Sequence, residues 1–320
     1  MSKQPFIEQL DQAIGRILVD PAAAGIELSS LDASLQELFH IARDLSELPS
    51  PDFRARLRAG LERKASMITK MTTKIVEFRP GFRTVTPYLL TSNAEFVDFL
   101  KNVFGAVETH RTVTSPESFH AEMQLGDSML MIGMGAGRTM PTALHIYVPN
   151  SDEVFRQALN AGCLELSPMM ESRGDRFGCV EDPAGNQLYI ATRIGATHIP
   201  EGLHSVTTYF HPKGADRFID FVKQAFGAQE VERHDSAEGE VLHAKIRIGD
   251  SVVEVGEPRG WWQPTPSMMY LYVPDCDALY DQAIKAGAKS IYAPVDHEYG
   301  DRSGGVVDEW GNQWYMATPI

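Results

Sequence analysis

The run Gly300-Asp-Arg-Ser-Gly-Gly-Val-Val-Asp-Glu-Trp-Gly-Asn-Gln-Trp-Tyr-Met-Ala-Thr318 repeats an earlier one, Gly174-Asp-Arg-Phe-Gly-Cys-Val-Glu-Asp-Pro-Ala-Gly-Asn-Gln-Leu-Tyr-Ile-Ala-Thr192, at twelve of nineteen positions. Identity of that extent in a stretch of mixed composition marks an internal duplication. Each copy reads as a hairpin: an extended segment, a turn at Asp-x-x-Gly-Asn, then an apolar strand ending in Ala-Thr. Gly185 and Gly311 supply the positive φ such a turn needs, and the Asp and Asn side chains close it on the backbone.

Working outward, the chain from Thr84 repeats the order β-α-β-β-β four times. Phe104-Gly-Ala corresponds to Phe226-Gly-Ala at helix ends, His120-Ala to His243-Ala, and Gly126-Asp-Ser to Gly249-Asp-Ser at hairpin turns. Val148-Pro likewise corresponds to Val273-Pro. One βαβββ unit is a four-stranded sheet with a helix on one face. Two such units side by side make a curved eight-stranded sheet whose concave face encloses a pocket. The expected class is therefore α+β: two tandem domains of paired βαβββ modules, residues 84–193 and 203–320, each a curved mixed sheet around its own pocket. Residues 1–70 read differently, as short amphipathic helices on leucine-rich faces that need a partner, either each other, the next domain or a second chain of a homodimer.

At 320 residues, with 43% hydrophobic and 22% charged side chains, the chain suits a multidomain globular protein. A formal charge of −14 repels phosphate backbones and anionic lipid, so nucleic acid and membrane surfaces are discounted in favour of a small-molecule ligand. Three cysteines without C-x-x-C spacing argue against a disulfide framework or a structural zinc site. With no basic-apolar leader at its start, the sequence reads as cytoplasmic.

The Phe-Gly-Ala helix ends, the His-Ala-x-x-x-x-Gly-Asp-Ser hairpins, Tyr299-Gly-Asp-Arg and Asp308-x-x-Gly-Asn-Gln-Trp together resemble the vicinal oxygen chelate superfamily. That superfamily holds glyoxalase I, bleomycin-resistance proteins and extradiol dioxygenases. The chain is most similar to its phosphonate-operon-like, glyoxalase-like bacterial branch, over residues 84–320. The resemblance implies a divalent metal (Fe, Mn, Zn or Ni) held by His, Gln or Glu from the first and last strands of each module. Placed on that pattern, the first domain offers Val85, Met131, Ala143 and Tyr189, so no metal is expected there. The second offers Thr207, Glu254, Met268 and Tyr315, of which only Glu254 matches in type.

Two readings follow. In one, a metal-assisted lyase or dioxygenase uses Glu254 as ligand and His243 as ligand or base. In the other, a metal-free pocket binds or sequesters a small aromatic or hydrophobic compound. A two-residue turn at Gly249-Asp250 places Lys245 opposite Glu254 with His243 diagonal to it, so the partner of Glu254 is open between a metal, His243 and Lys245. Further candidates for contact with substrate are His120, His145, Arg176, Arg302, Trp314 and Tyr315. Val253 and Val255, alternating with Glu254, are expected to pack against a helix.

Overall fold

The computed structural model describes residue 79 and residues 81–320 other than 136, 138 and 261; the N-terminal segment 1–70, with its expected helices and role in a dimer, lies outside the described residues. The first module runs β1 (Val85–Thr91), α1 (Phe96–Phe104), β2 (Val107–Ser115), β3 (Ser118–Leu125) and β4 (Ser128–Met134). The second runs β5 (Ala143–Tyr147), α2 (Ser151–Asn160), β6 (Leu164–Ser172), β7 (Asp175–Glu181) and β8 (Gln187–Arg193). The third comprises β9 (Val206–Phe210), α3 (Ala215–Phe226), β10 (Gln229–Asp235), β11 (Val241–Ile248) and β12 (Ser251–Val255). The fourth comprises β13 (Met268–Tyr272), α4 (Cys276–Lys285), β14 (Lys289–Asp296), β15 (Asp301–Val307) and β16 (Gln313–Pro319). The helices stop where the sequence places Gly105 and Gly227, both at positive φ. Among the described residues no helix is long and apolar enough to cross a membrane.

The modules do not pair with their neighbours in sequence. One eight-stranded sheet has the order β14-β15-β16-β13-β1-β4-β3-β2 and the other β10-β11-β12-β9-β5-β8-β7-β6. The first thus joins the outer modules, one and four, through antiparallel β1 and β13; the second joins the inner modules through β5 and β9. The expectation that residues 84–193 and 203–320 each close a cup of their own is corrected here. What the two halves of the chain do share is apolar packing. Helices α1 and α2 pack with the backs of their own strands in one cluster that includes Leu100, Leu130, Phe155 and Ile190, and α3 and α4 do the same around Phe218, Val222, Leu271 and Trp314. The helices lie between the backs of the two sheets, which leaves each concave face turned away from them. Val253 and Val255 join the α3 cluster as their alternation required.

The physical reason for the crossed pairing lies in the Gly-Asp-Ser turns. The amides that open β1 need acceptors, and Thr84 and Val85 donate to Asp250 Oδ1 at 2.8 Å and Ser251 Oγ at 2.9 Å. In the mirror relation, Ser205 and Val206 donate to Asp127 Oδ1 at 2.8 Å and Ser128 Oγ at 3.0 Å. A turn of each sheet therefore caps a central strand of the other, and strand-opening amides that would otherwise lack an acceptor are satisfied. The Asp-x-x-Gly-Asn turns cap the first strands of the other two modules, each within its own sheet. Asp182 Oδ1 accepts the amides of Ala184 and Asn186, while Asn186 Oδ1 accepts that of Thr142 at 3.0 Å. Asp308 and Asn312 repeat the pattern on Ser267, and a 2.7 Å bond from Thr142 Oγ1 to Ser267 Oγ ties the two turns together.

Two consequences of this cross-capping are measurable. Gly249 has φ 59°, and a Cβ there would lie 2.3 Å from Thr84 Oγ1. Gly249→Ala should cost about 2–4 kcal/mol, combining the left-handed backbone with overpacking at a fixed contact. Gly239→Ala, at φ 86° but with open space around it, should cost only about 1 kcal/mol. Urea midpoints that move equally for both would show that the contact is slack.

The second consequence concerns acid. Burial pushes the Asp127 carboxyl up, but the Ser205 amide and hydroxyl and the imidazole of His204, 2.7 Å away, outweigh it and hold the group down at about 2. A carboxyl depressed in the folded state adds stability that is complete above its unfolded value of about 3.9 and lost as pH falls through its folded value. Asp127→Asn should therefore flatten the loss of stability of the native chain between pH 4 and pH 2. An unchanged acid limb in denaturation curves would remove this role.

Candidate active-site cavity

Strand alternation decides which side chains meet on each concave face. In the inner sheet, β5 contributes His145 and Tyr147, β8 Tyr189, β9 Tyr209, β11 His243 and Lys245, and β12 Glu254, all lining one cavity of about 360 Å³. Phe177 and Trp262 complete its aromatic wall. The registers place Glu254 beside Tyr209 and His145 beside Tyr189, so four strands of two modules meet across the middle of the cup. The residues facing the fourth strands are Tyr88, His145, Tyr209 and Tyr270. The positions expected from sequence, Val85, Ala143, Thr207 and Met268, lie two or three residues too early, and a slip of two keeps the face while changing the side chain.

Glu254 is 1% exposed. Its Oε2 accepts a hydrogen bond from His145 Nδ1 at 2.8 Å and its Oε1 one from His243 Nε2 at 3.1 Å. Burial alone would raise its pKa, but the two imidazoles outweigh burial and hold the carboxyl below the usual carboxylate range. An ionised carboxylate only accepts, so Nδ1 of His145 and Nε2 of His243 carry the bonding protons. The other ring nitrogens, His145 Nε2 and His243 Nδ1, are buried without a partner. Lys245 is directly opposite Glu254 in register, yet its Nζ goes to Glu232 at 2.7 Å. Of the three candidate partners for Glu254, His243 is present, Lys245 is not, and His145 arrives from the second module because the inner modules share a sheet. Nearby, burial pushes His211 down to about 4, and its Nε2 lies 2.9 Å from the Tyr189 hydroxyl.

These donors do not suit the divalent metal that the fold family implies. Each imidazole engages a different oxygen of the one carboxylate, and among the described residues no group of three His, Cys, Asp or Glu converges on a common point. The remaining central positions are Tyr189 and Tyr209, phenols that burial keeps protonated and that make poor ligands. Glu254 and His243 are paired with each other at 3.1 Å.

The other candidates are dispersed. His120 lies in the outer sheet, its Nδ1 3.2 Å from the Tyr88 hydroxyl and its Nε2 3.8 Å from Glu122. Tyr315 lies there too, with Phe82, Tyr88, Met131, Tyr270 and Tyr272, whose side chains meet one another on that concave face. Arg176 follows Asp175 and precedes Phe177, both of which line the inner cavity, so alternation turns it to the back, where it pairs with Asp152 at 2.6 Å. Arg302 pairs in the same way with Asp277 in the first turn of α4. Trp314 is fully buried in the apolar cluster behind the outer sheet and donates to Asp308. Tyr209 and Arg173 were not anticipated as lining residues. Tyr209 shares the face of Thr207 two residues on, and Arg173 stands where the repeat carries Tyr299.

Glu254→Ala removes an acceptor shared by two buried imidazoles, and the expected loss is about 2–4 kcal/mol, the bonds to charge being partly offset by relief of desolvation. Urea denaturation measures it; a loss below about 1 kcal/mol would mean that the carboxylate is not held by the imidazoles.

Comparison with known proteins agrees with this architecture. Residues 211–316 match the model of the Glyoxalase/Bleomycin resistance protein/Dioxygenase superfamily. An uncharacterized protein of Mycobacterium bovis is 34% identical over 113 residues, 32% of this chain and 74% of that protein. A counterpart in Mycobacterium tuberculosis H37Rv is 34% identical over the same length, 66% of that protein. Glyoxalase I from Zea mays superposes with a TM-score of 0.58 over 74% of this chain and 92% of its own, at 12% identity, a likeness of fold alone. With its duplicated βαβββ modules and two curved eight-stranded sheets, the chain belongs to the Glyoxalase/Bleomycin resistance protein/Dioxygenase superfamily.

Proposed function

We propose that the inner cup is a metal-free pocket that binds a small planar aromatic compound, the sequestering reading rather than the metal-assisted lyase or dioxygenase. The observation that carries it is the pair of orphaned imidazole nitrogens, His145 Nε2 and His243 Nδ1, buried on either side of Glu254 in an aromatic cavity. A buried polar atom without a partner costs about 1–3 kcal/mol. A ligand hydroxyl placed between the imidazoles donates to one of these nitrogens and recovers part of that cost, and Glu254 fixes which ring nitrogens remain available. Tyr189, Tyr209, Phe177 and Trp262 offer faces and edges to a flat ring. A volume of about 360 Å³ falls at the small end of ligand pockets.

The test is metal analysis of protein purified without chelator, together with calorimetric titration of a panel of phenols. The expected result is well under one divalent ion per chain, binding of at least one phenol that chelator treatment leaves unchanged, and weakening by about tenfold in His145→Ala, the value of one hydrogen bond. A stoichiometric metal whose removal abolishes ligand binding would overturn the reading in favour of the metal-assisted enzyme.

A further inference from the structure

The turn joining β6 to β7 is two residues long, Arg173-Gly174, with Ser172 and Asp175 paired across it. Both turn residues have positive φ, 51° at Arg173 and 82° at Gly174, as a type I′ turn requires. Arg173 is the only non-glycine residue with positive φ among those described. The first place in such a turn favours Asn, Asp or Gly, so an arginine there sits against local preference. Strained residues of this kind gather at binding sites. Arg173 does line the inner cavity.

The cavity's other cations are already neutralised. Arg193 meets Asp175 at 3.2 Å, and Lys245 meets Glu232 at 2.7 Å. Among the described residues the Arg173 guanidinium meets no carboxylate, and it is exposed at the rim. Its field reaches inward as far as the Tyr209 phenol. Glu254 is buried and already engaged by His145 and His243, so it offers an anion no partner, whereas the rim does.

Resting on the reading of the cup as an aromatic pocket, we infer that its ligand is an aromatic carboxylic acid, bound with the carboxylate on Arg173 and a neutral hydroxyl between His145 and His243. A planar guanidinium suits a carboxylate through two parallel hydrogen bonds, which an amide in the same place cannot repeat.

The experiment titrates the full-length chain with 4-hydroxybenzoate and with uncharged 4-hydroxybenzamide, in wild type and in Arg173→Asn. Wild type should bind the acid about tenfold or more tightly than the amide, with a preference that shrinks as salt is added. Arg173→Asn installs the favoured Asn-Gly turn, so it should raise Tm while removing the preference for the acid over the amide. Equal affinities in wild type, or a preference that survives in Arg173→Asn, overturns the assignment of the anion site while the pocket stands. A fall in Tm for Arg173→Asn overturns the argument from strain. Binding of neither probe to wild type overturns the aromatic pocket itself, and this inference with it.

Discussion

The fold depends on the need of four strand-opening amides for acceptors. Thr84, Val85, Ser205 and Val206 begin the central strands of the two sheets, and no strand neighbour takes up their N–H groups. Aspartate and serine from the opposite sheet do so instead. Because the contribution is reciprocal, neither sheet is complete without the other. The apolar clusters follow the halves of the sequence while the hydrogen-bonded sheets cross between them.

Much of this was legible in the chain. Duplication, helix stops and hairpin turns are local features, written in Gly-Asp-Ser, Phe-Gly-Ala and Asp-x-x-Gly-Asn, and they gave the modules and the curved sheets. Pairing of modules is not local. Adjacent and crossed pairings use the same strands with the same alternation, and the difference lies in which amides Asp127 and Asp250 reach. The site inherits that ambiguity. Glu254 and its diagonal neighbour His243 lie on one hairpin and were found together, whereas His145 lies 109 residues away and reaches Glu254 only through the crossed pairing. Arg176 and Arg302 stood out because they are duplicated, but duplication here preserves the bond from each arginine to the first turn of a helix, a structural task.

The two cups share one frame and differ in content. Where the inner cup has Glu254 beside Tyr209 and His145 beside Tyr189, the outer has Met131 beside Tyr88 and Tyr270 beside Tyr315. Exchanging a carboxylate and an imidazole for a thioether and a phenol removes the central charge and lets the side chains close on one another. The outer cup keeps its acidic groups off centre: Glu122 bonds to Arg79, and Asp301 accepts from the hydroxyl of Tyr270 at 3.1 Å. One duplicated architecture thus carries a polar cavity in one sheet and a packed aromatic interior in the other.

The nested order of the sheets also bears on how the chain is made. Val85 pairs with Leu271, 186 residues further on, so a nascent chain exposes one side of β1 until nearly the whole sequence has emerged. The inner sheet faces a shorter delay, since β5 through β12 are contiguous and its central pair, Leu144 with Thr208, is 64 residues apart. Loop-closure entropy favours early contacts between near neighbours. Assembly of the sheets is accordingly favoured from the middle outwards, with the inner cavity formed first and the outer sheet closed last by β13. An interrupted chain ending before that strand leaves a bare apolar edge, the kind of surface that recruits other chains.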